Sequence, residues 1–288
     1  MIARRPPTTP AMLFFYRLLA HCPLRLLHAL GAALGWLGWF ASPTWRRRMR
    51  ENIAQAGYRF VDVRGAVAHA GRMVAETPRL WFGAPPPVFW DGEAFIEEAY
   101  AAGRGIVFLT PHLGCFEITA QAVAARYAAQ HGTLTVLYRP SRQKALREVL
   151  EVSRQREGLA TAPTTLAGVR QMLRELRAGR AVGLLPDQVP PQGQGVWAPM
   201  FGRDAYTMTL AARLVQQTGA TPLLIWGERL PAARGFLVHF ENFGATLDAD
   251  PQRAATQINA AMERLIRRCP QQYLWGYGRY KTPRGQPA

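Results

Sequence analysis

The stretch GIVFLTPHLGCFE, residues 105–117, decides the fold that we predict for this chain. Residues 106–110 are apolar or β-favouring, and Pro111 follows them at once, which predicts a buried parallel strand that stops before His112. An apolar run that begins near Glu117 predicts a helix after the strand. His112 therefore lies at the carboxyl end of a strand, and open α/β sheets bind their ligands at this edge.

A turn is needed between His112 and Glu117 if the two side chains are to meet. On a continuous helix their spacing would set them about 140° apart, on different faces. Gly114 stands between them and can adopt backbone angles that are closed to other residues. We therefore expect a turn at Gly114 that lets the imidazole approach the carboxylate.

Further strand patterns place polar residues at the same edge of the sheet. Strands are predicted over residues 133–140, 181–188, 220–227 and 235–243, and helices over 117–130, 144–156, 166–178, 206–217 and 254–269. Because parallel strands end at one edge, Arg139 and Asp187 are expected to converge there with His112. Residues 189–203 are rich in Gly and Pro and predict a loop over this edge. The sequence thus predicts a single α/β domain with a mostly parallel central sheet flanked by helices.

The N-terminal segment predicts a membrane anchor. Residues 26–41 form an apolar run slightly shorter than the roughly 20 residues that span hydrocarbon, with Trp36 and Trp39 near its end. An arginine cluster follows at positions 46, 47, 48 and 50. Tryptophans followed by arginines are typical of a membrane interface, with the arginines and the body of the protein on the cytoplasmic side. We predict an uncleaved anchor over residues 1–45, spanning or interfacial, and a folded domain over 46–288; the alternative is a core helix of a soluble protein.

The composition narrows the classes of partner. The formal net charge of +16 attracts phosphate, whether on nucleic acid, anionic lipid or a phosphorylated substrate. No nucleic-acid reader motif is recognisable, so we predict no nucleic-acid partner. The three cysteines, Cys22, Cys115 and Cys269, are odd in number and lack zinc-site spacing, which indicates a reducing compartment.

The pair His112 and Glu117 suits proton removal from a hydroxyl group. A neutral imidazole takes the proton as the hydroxyl attacks an acyl carbonyl, while a carboxylate orients the ring. Arg139 and the backbone N–H groups near Gly114 are candidate donors to the oxyanion. The alternatives are a purely structural histidine, and an ion pair of Arg139 with Asp187 that holds two strand ends together.

Other chemistries find no support in the sequence. No G-x-S-x-G motif supplies a serine nucleophile, and neither a Walker loop nor a G-x-G-x-x-G motif follows a strand. His112 and Glu117 lack a third metal ligand nearby. Cys115 is interpreted as a packing residue rather than a nucleophile. We therefore predict no cofactor and no metal.

Four blocks in this order carry a resemblance to a known family. They are GIVFLTPHLGCFE, which looks like an H-x4-D/E block; YRP (residues 138–140); LLPDQ (184–188) followed by PMFG (199–202) and TMTLAARL (207–214); and PQQYLW with YKTPRG near the end. The chain resembles the late acyltransferases of lipid A biosynthesis, the lauroyl and myristoyl transferases of the lysophospholipid acyltransferase superfamily. The resemblance runs from about residue 46 to 284.

The resemblance implies a glycerolipid acyltransferase-like fold and a transferase of the inner membrane, active on its cytoplasmic face. It would move a fatty acyl chain from acyl carrier protein, or from acyl-CoA, to a hydroxyl of a lipid A precursor. His112 would be the base and Glu117 its partner, with Arg139, Asp187 and Gln188 binding substrate or supporting the site.

Two departures from the family pattern bear on specificity. Cys115 and Phe116 stand where members usually have Asn and Trp, and residues 276–278 interrupt a tail that is often W-x-H-R-R-F-K. The first change lies in the wall of the site and leaves the acyl length and the acceptor open: a lysophospholipid, an aminolipid or a glycolipid would suit the same chemistry. The second weakens the prediction that the tail clamps a lipid headgroup. A membrane scaffold without catalytic activity is the alternative from another class.

Overall fold

A computed structural model of the chain describes residues 10–138 and 156–283. Arg139 lies outside these residues, as does nearly all of the helix predicted over 144–156.

The described residues form an α/β domain whose core is a seven-stranded, mostly parallel sheet, as predicted. Its strands are β1 (Val88–Asp91), β2 (Ile106–Leu109), β3 (Leu134–Tyr138), β4 (Leu159–Pro163) and β5 (Ala181–Leu184), and, after the hairpin β6 (Gly195–Met200) and β7 (Arg203–Met208), β8 (Thr221–Arg229) and β9 (Phe236–Asn242). Their order is β1-β9-β8-β2-β5-β3-β4, and β8 with β9 is the antiparallel pair. Strand β2, the apolar run of the sequence, therefore lies in the middle.

Helices cover both faces of the sheet. They are α1 (Pro10–Ala20), α2 (Leu24–Ala41), α3 (Pro43–Gln55), α4 (Phe60–Val63), α5 (Gly65–Ala75), α6 (Thr77–Phe82), α7 (Glu93–Ala101), α8 (Phe116–His131), α9 (Leu166–Arg177), α10 (Leu210–Thr218) and α11 (Pro251–Arg268), with short 3-10 turns at Pro231–Ala233 and Pro270–Gln272. Alternate residues of β2 pack into different clusters: Ile106 and Phe108 join one with α7 and α8, whereas Val107 and Leu109 join one with α11. Burial on both faces explains why this strand is a continuous apolar run.

The sequence missed one hairpin and two outer strands. Residues 195–208 form β6 and β7 instead of the predicted loop and the first turn of the predicted helix, which begins only at Leu210. Phe201 and Gly202 both have positive φ (49° and 74°) and join the strands in a tight two-residue turn. The Gly and Pro residues of this segment obscured the alternation of apolar and polar residues that would have predicted strands. The outer strands β1 and β4 are too short to show such an alternation.

Helix α2 has one face against the body of the protein and one apolar face exposed. Its buried face packs on α5, where a Cβ on Gly71 would lie 1.9 Å from the Gly31 carbonyl oxygen, so only glycine permits this approach. On the other face Leu26, Leu30 and Leu34 are exposed, and they are followed by Leu37 and Phe40. Among the described residues, α2 alone is long and apolar enough to cross a membrane. Core helices of soluble proteins and signal sequences can have the same length and apolar composition.

Candidate functional site

The turn between β2 and α8 carries His112 to the carboxyl edge of the sheet. Gly114 makes the turn possible, since its φ is +59° and a Cβ there would lie 1.9 Å from the Gly227 carbonyl oxygen. Helix α8 then begins at Phe116. The sequence predicted this strand, turn and helix, and the structure shows all three.

Neighbouring backbone segments hold this turn on both sides. The Cys115 N–H donates to the Gly227 carbonyl on β8 (2.7 Å), and the Gly114 N–H donates to the Gln272 carbonyl (3.0 Å). The His112 carbonyl accepts from the Leu274 N–H (3.1 Å). The segment after α11 is therefore a wall of the site. Because the N–H groups of Gly114 and Cys115 are engaged, they are not available to an oxyanion in this conformation.

The two ring nitrogens of His112 contact side chains from the loop after β5. Nδ1 lies 2.7 Å from Oδ1 of Asp187, and Nε2 lies 3.0 Å from Nε2 of Gln188. The second carboxylate oxygen of Asp187 accepts the backbone N–H of His112 at 2.9 Å. Asp187 therefore fixes both the ring and the backbone of His112.

This arrangement selects one tautomer of His112. An ionised carboxylate only accepts hydrogen bonds, so Nδ1 carries the proton and donates it to Asp187. Nε2 is then an acceptor, and the Gln188 amide donates to it. The ring thus presents a basic nitrogen toward the site, and an incoming hydroxyl must replace the Gln188 amide. The His112 side chain is 15% exposed and that of Asp187 is 3% exposed, so water screens the pair little.

The Asp187 carboxylate is held ionised by its surroundings. Burial acts to raise its pKa, but the interaction with His112, which includes two hydrogen bonds from that residue, and the charge of Arg279 together lower the pKa below the ordinary value. Arg279 is itself buried and donates to the Tyr206 carbonyl (2.8 Å) and the Thr207 hydroxyl (2.7 Å). The site therefore has a buried cation behind its carboxylate.

Arg279 belongs to the tail whose departure from the family pattern is noted above. Sequence analysis assigned Arg279 no role; the signal that could have found it is its position in a tail that is rich in aromatic and basic residues. The structure anchors this tail in the body: the side-chain amide of Asn52 donates to the carbonyls of Trp275 and Tyr277, and the Tyr277 hydroxyl accepts from the Val189 N–H (3.0 Å). The tail thus stabilises the loop that bears Asp187 and Gln188.

Glu117 lies in the first turn of α8, next to the His112 turn. Its carboxylate accepts a hydrogen bond from the indole N–H of Trp81 on α6 at 3.2 Å. Phe116 directly precedes Glu117, and its ring meets the His112 ring edge-to-face with centroids 4.9 Å apart. The role of Glu117 as partner of His112 stays a prediction, and so does the role of Arg139, which lies outside the described residues.

Cys115 is a packing residue in the structure. Its side chain is 1% exposed, and burial raises the pKa of its thiol well above the ordinary value, with the nearby Glu76 carboxylate adding to the rise. A thiol that stays protonated is a poor nucleophile. The described surroundings therefore fit the interpretation of Cys115 as structural.

Labelling with iodoacetamide at pH 8 is expected to leave Cys115 unmodified in the folded protein. Cys22 is partly exposed and serves as the internal comparison, and is expected to react. Mass spectrometry of peptides from labelled native and labelled denatured protein makes the measurement. Modification of Cys115 at the rate of Cys22 would contradict the assignment.

Comparison with known families supplies independent information. The sequence model of one family, described as bacterial lipid A biosynthesis acyltransferase, matches residues 7–282. This match covers the turn, the loop after β5 and the tail that form the site.

Several curated proteins are similar to this chain over most of its length. A lipid A biosynthesis acyltransferase of Haemophilus influenzae is 24% identical over 91% of this chain and 84% of its own length. A lipid A biosynthesis palmitoleoyltransferase of Escherichia coli K12 is 24% identical over 74% of this chain and 69% of its own. A lipid A biosynthesis lauroyltransferase of the same strain is 25% identical over 76% of this chain and 71% of its own. These names differ in the acyl chain transferred.

Proposed function

We propose a specific reaction for this chain, which belongs to the bacterial lipid A biosynthesis acyltransferase family. Membership makes it an acyltransferase enzyme of lipid A biosynthesis. The proposed reaction transfers a fatty acyl chain from acyl carrier protein to a hydroxyl of a lipid A precursor, with His112 as the general base.

The observation that carries this proposal is the state of the His112 ring. Asp187 accepts from Nδ1 at 2.7 Å and leaves Nε2 as the basic atom, at the edge of the sheet where ligands bind. A neutral imidazole held by a buried carboxylate is the arrangement that removes a proton from an attacking hydroxyl.

The reaction then proceeds with balanced proton transfers. Nε2 of His112 takes the proton of the acceptor hydroxyl as its oxygen bonds to the thioester carbonyl carbon. Asp187 stabilises the imidazolium that results, and Arg139 is the proposed donor to the oxyanion. When the tetrahedral intermediate collapses, the C–S bond breaks and His112 returns its proton to the departing thiolate. We propose Glu117 as a second carboxylate of the site and Gln188 as the amide that the acceptor hydroxyl replaces.

The N-terminal helices support a membrane location. Leu26, Leu30, Leu34, Leu37 and Phe40 form an exposed apolar stripe along α2, about 21 Å long at 1.5 Å per residue. Phe14, Phe15 and Leu18 on α1 are exposed as well. The arginines at positions 46, 47, 48 and 50 follow directly on α3. We propose that residues 1–45 anchor the acyltransferase domain, residues 46–288, to the cytoplasmic face of the inner membrane.

The charge of the chain fits the proposed partners. A net charge of +16 suits an anionic lipid surface and the acidic acyl carrier protein, because complementary potentials steer association. No nucleic-acid partner is proposed.

Transfer assays and lipid profiles test this function together. Purified protein is expected to acylate a lipid A precursor with acyl carrier protein as donor and more slowly with acyl-CoA. Mass spectrometry of a strain that lacks the gene is expected to show one acyl chain lost from lipid A. Loss from a lysophospholipid, aminolipid or glycolipid class instead would contradict the acceptor. No loss in any class, with no transfer in vitro, would favour a scaffold.

A further inference from the structure

A second chemical feature of the molecule is a cavity of about 610 Å³ beside α2 and α5. Its wall also includes the end of β8 and the segment after α11. The charged residues and histidines that line it are Arg25, His28, His69, Arg72, Glu228 and Arg229. We call it the cationic cavity, and its volume is in the range of small-molecule sites.

Arg72 brings to the cationic cavity a positive charge that makes no ion pair with any of the described residues. Its guanidinium hydrogen bonds to Nε2 of His69 (3.1 Å) and to the His28 carbonyl (3.4 Å). Burial, with the charges of Arg229 and Arg72, lowers the pKa of His69 to about 3, so that ring is neutral and accepts the bond. Within residues 10–138 and 156–283, no carboxylate lies within ion-pair distance of Arg72 or Arg25.

The other charged groups of the wall have protein partners. Glu76 neutralises Arg229 through three N–O contacts of 2.6 to 3.0 Å. Glu228 is engaged by the ring of His239, at 3.1 Å. Two guanidinium groups, those of Arg25 and Arg72, thus face one carboxylate, that of Glu228, so the wall carries a net positive charge. Arg25 donates to the Ala232 carbonyl (3.0 Å), and a small anion would supply the charged partner that both arginines lack.

Helix α2 presents this cavity next to its exposed apolar stripe. Arg25 and His28 line the cavity, while Leu26 and Leu30 on the same two turns are each 48% exposed. Cationic and apolar surfaces within two turns of one helix match an amphiphile that has a charged head and acyl chains. This juxtaposition favours a lipid over a small water-soluble anion.

The cationic cavity also shares a wall with the catalytic turn. Gln272 lines the cavity, and its side chain exchanges hydrogen bonds with the backbone N–H (2.9 Å) and carbonyl (3.1 Å) of Arg229. The backbone carbonyl of the same Gln272 accepts from the Gly114 N–H. Gln272 therefore belongs both to the wall of the cationic cavity and to the segment that holds the His112 turn.

From these observations we propose that the cationic cavity binds a phosphate group on the head of the acceptor lipid, with Arg72 and Arg25 as its ligands. The inference rests on the proposed function, because it takes the acceptor to be a lipid that carries its reacting hydroxyl near the phosphate. Bound there, the phosphate would hold the acceptor head on the protein and so raise the affinity for the acceptor without taking part in the proton transfer at His112.

Kinetics of an Arg25→Gln/Arg72→Gln protein test the proposal. The KM for a phosphorylated acceptor is expected to rise at least about tenfold with kcat within about twofold, because uniform binding is lost while the base is intact. With the same acceptor after phosphatase treatment, variant and wild type are expected to have equal KM. An Arg170→Gln/Arg174→Gln protein, which removes the same charge from the exposed side of α9, is the control and is expected to match wild type.

The outcomes separate this inference from the proposed function. A rise in the KM for acyl carrier protein alone would assign the arginines to the donor and overturn the acceptor site. Unchanged KM values for both substrates would overturn it while leaving acyl transfer established. A direct titration with inorganic phosphate, followed by ³¹P NMR, needs no turnover: binding to wild type and to the control but not to the Arg25→Gln/Arg72→Gln protein is expected, and equal binding to all three would refute the site.

Discussion

The His112→Ala protein is expected to transfer acyl chains about 10²- to 10⁴-fold more slowly than wild type, which is the usual contribution of a positioned general base. The loss should fall on kcat, because in the proposed mechanism the ring contacts the reacting hydroxyl rather than the acyl chain or the lipid head. Single-turnover rates with saturating acceptor and donor make the measurement. Wild-type rates in this protein would exclude His112 as the base.

Two further variants identify the carboxylate on which the base depends. In an Asp187→Asn protein the amide can donate to Nδ1 and stabilise the wrong tautomer, so a loss on the order of 10³-fold or more is expected, as in catalytic triads. Glu117→Gln is the matched comparison, since it removes one charge from the adjacent helix turn. A loss below about tenfold would assign the orienting role to Asp187 alone, whereas equal losses would make both carboxylates partners of the ring.

The strand, the turn and the strand-end position of His112 could be predicted because their signals are local. A doubly buried strand is an apolar run, and Pro111 and Gly114 mark where it stops and turns. The approach of Asp187 to His112 also followed from topology. Leu109 and Leu184, the last residues of β2 and β5, pair in register, so the loops that follow them begin side by side at the same edge of the sheet. General rules of parallel sheets are sufficient for both inferences.

The sequence predicted Asp187 near His112 but did not predict which side chains hydrogen bond to the ring. The motif spacing drew attention to Glu117, whereas the structure brings Asp187 and Gln188, from another loop, to the two ring nitrogens. Which side chain forms a hydrogen bond depends on its rotamer and on how far each loop extends beyond the sheet. Neither property produces a periodic pattern in the sequence from which it could be predicted. The anchoring of the tail by Asn52 was hidden for the same reason, because it joins segments that are far apart in the chain.

Helix α2 shows a different limit. Its composition predicted an apolar anchor, and the structure adds that Gly31 and Gly71 bring one face against α5 while the opposite face stays exposed. The composition of a segment gives only the average hydrophobicity of the two helix faces. The distinction between packed and exposed faces therefore needs the tertiary contacts.

Stability is expected to depend strongly on Glu76, a buried carboxylate between α5 and α6. Its side chain is 1% exposed and joins the 3% exposed Arg229 at the end of β8 to His28 on α2. Burial acts to raise the pKa of Glu76, but the charge and hydrogen bonds of Arg229 and His28 outweigh it and lower the pKa to about 2. The carboxylate is thus the counter-charge that stabilises a buried guanidinium, and it joins α2 to the sheet.

The Glu76→Gln protein should therefore lose about 3 to 5 kcal/mol of unfolding free energy, since the amide leaves the Arg229 charge buried without a counter-charge. Urea unfolding measures the loss, and Glu51→Gln is the control: Glu51 pairs with Arg47 at 3.7 Å with both side chains more than 60% exposed, so a change within about 0.5 kcal/mol is expected.

Because the folded pKa of Glu76 lies below its ordinary value, its contribution is present above about pH 4.5 and is lost as the pH falls toward 2. Wild type should lose stability over that interval more steeply than Glu76→Gln, and parallel pH profiles would show that the pair contributes no net stability.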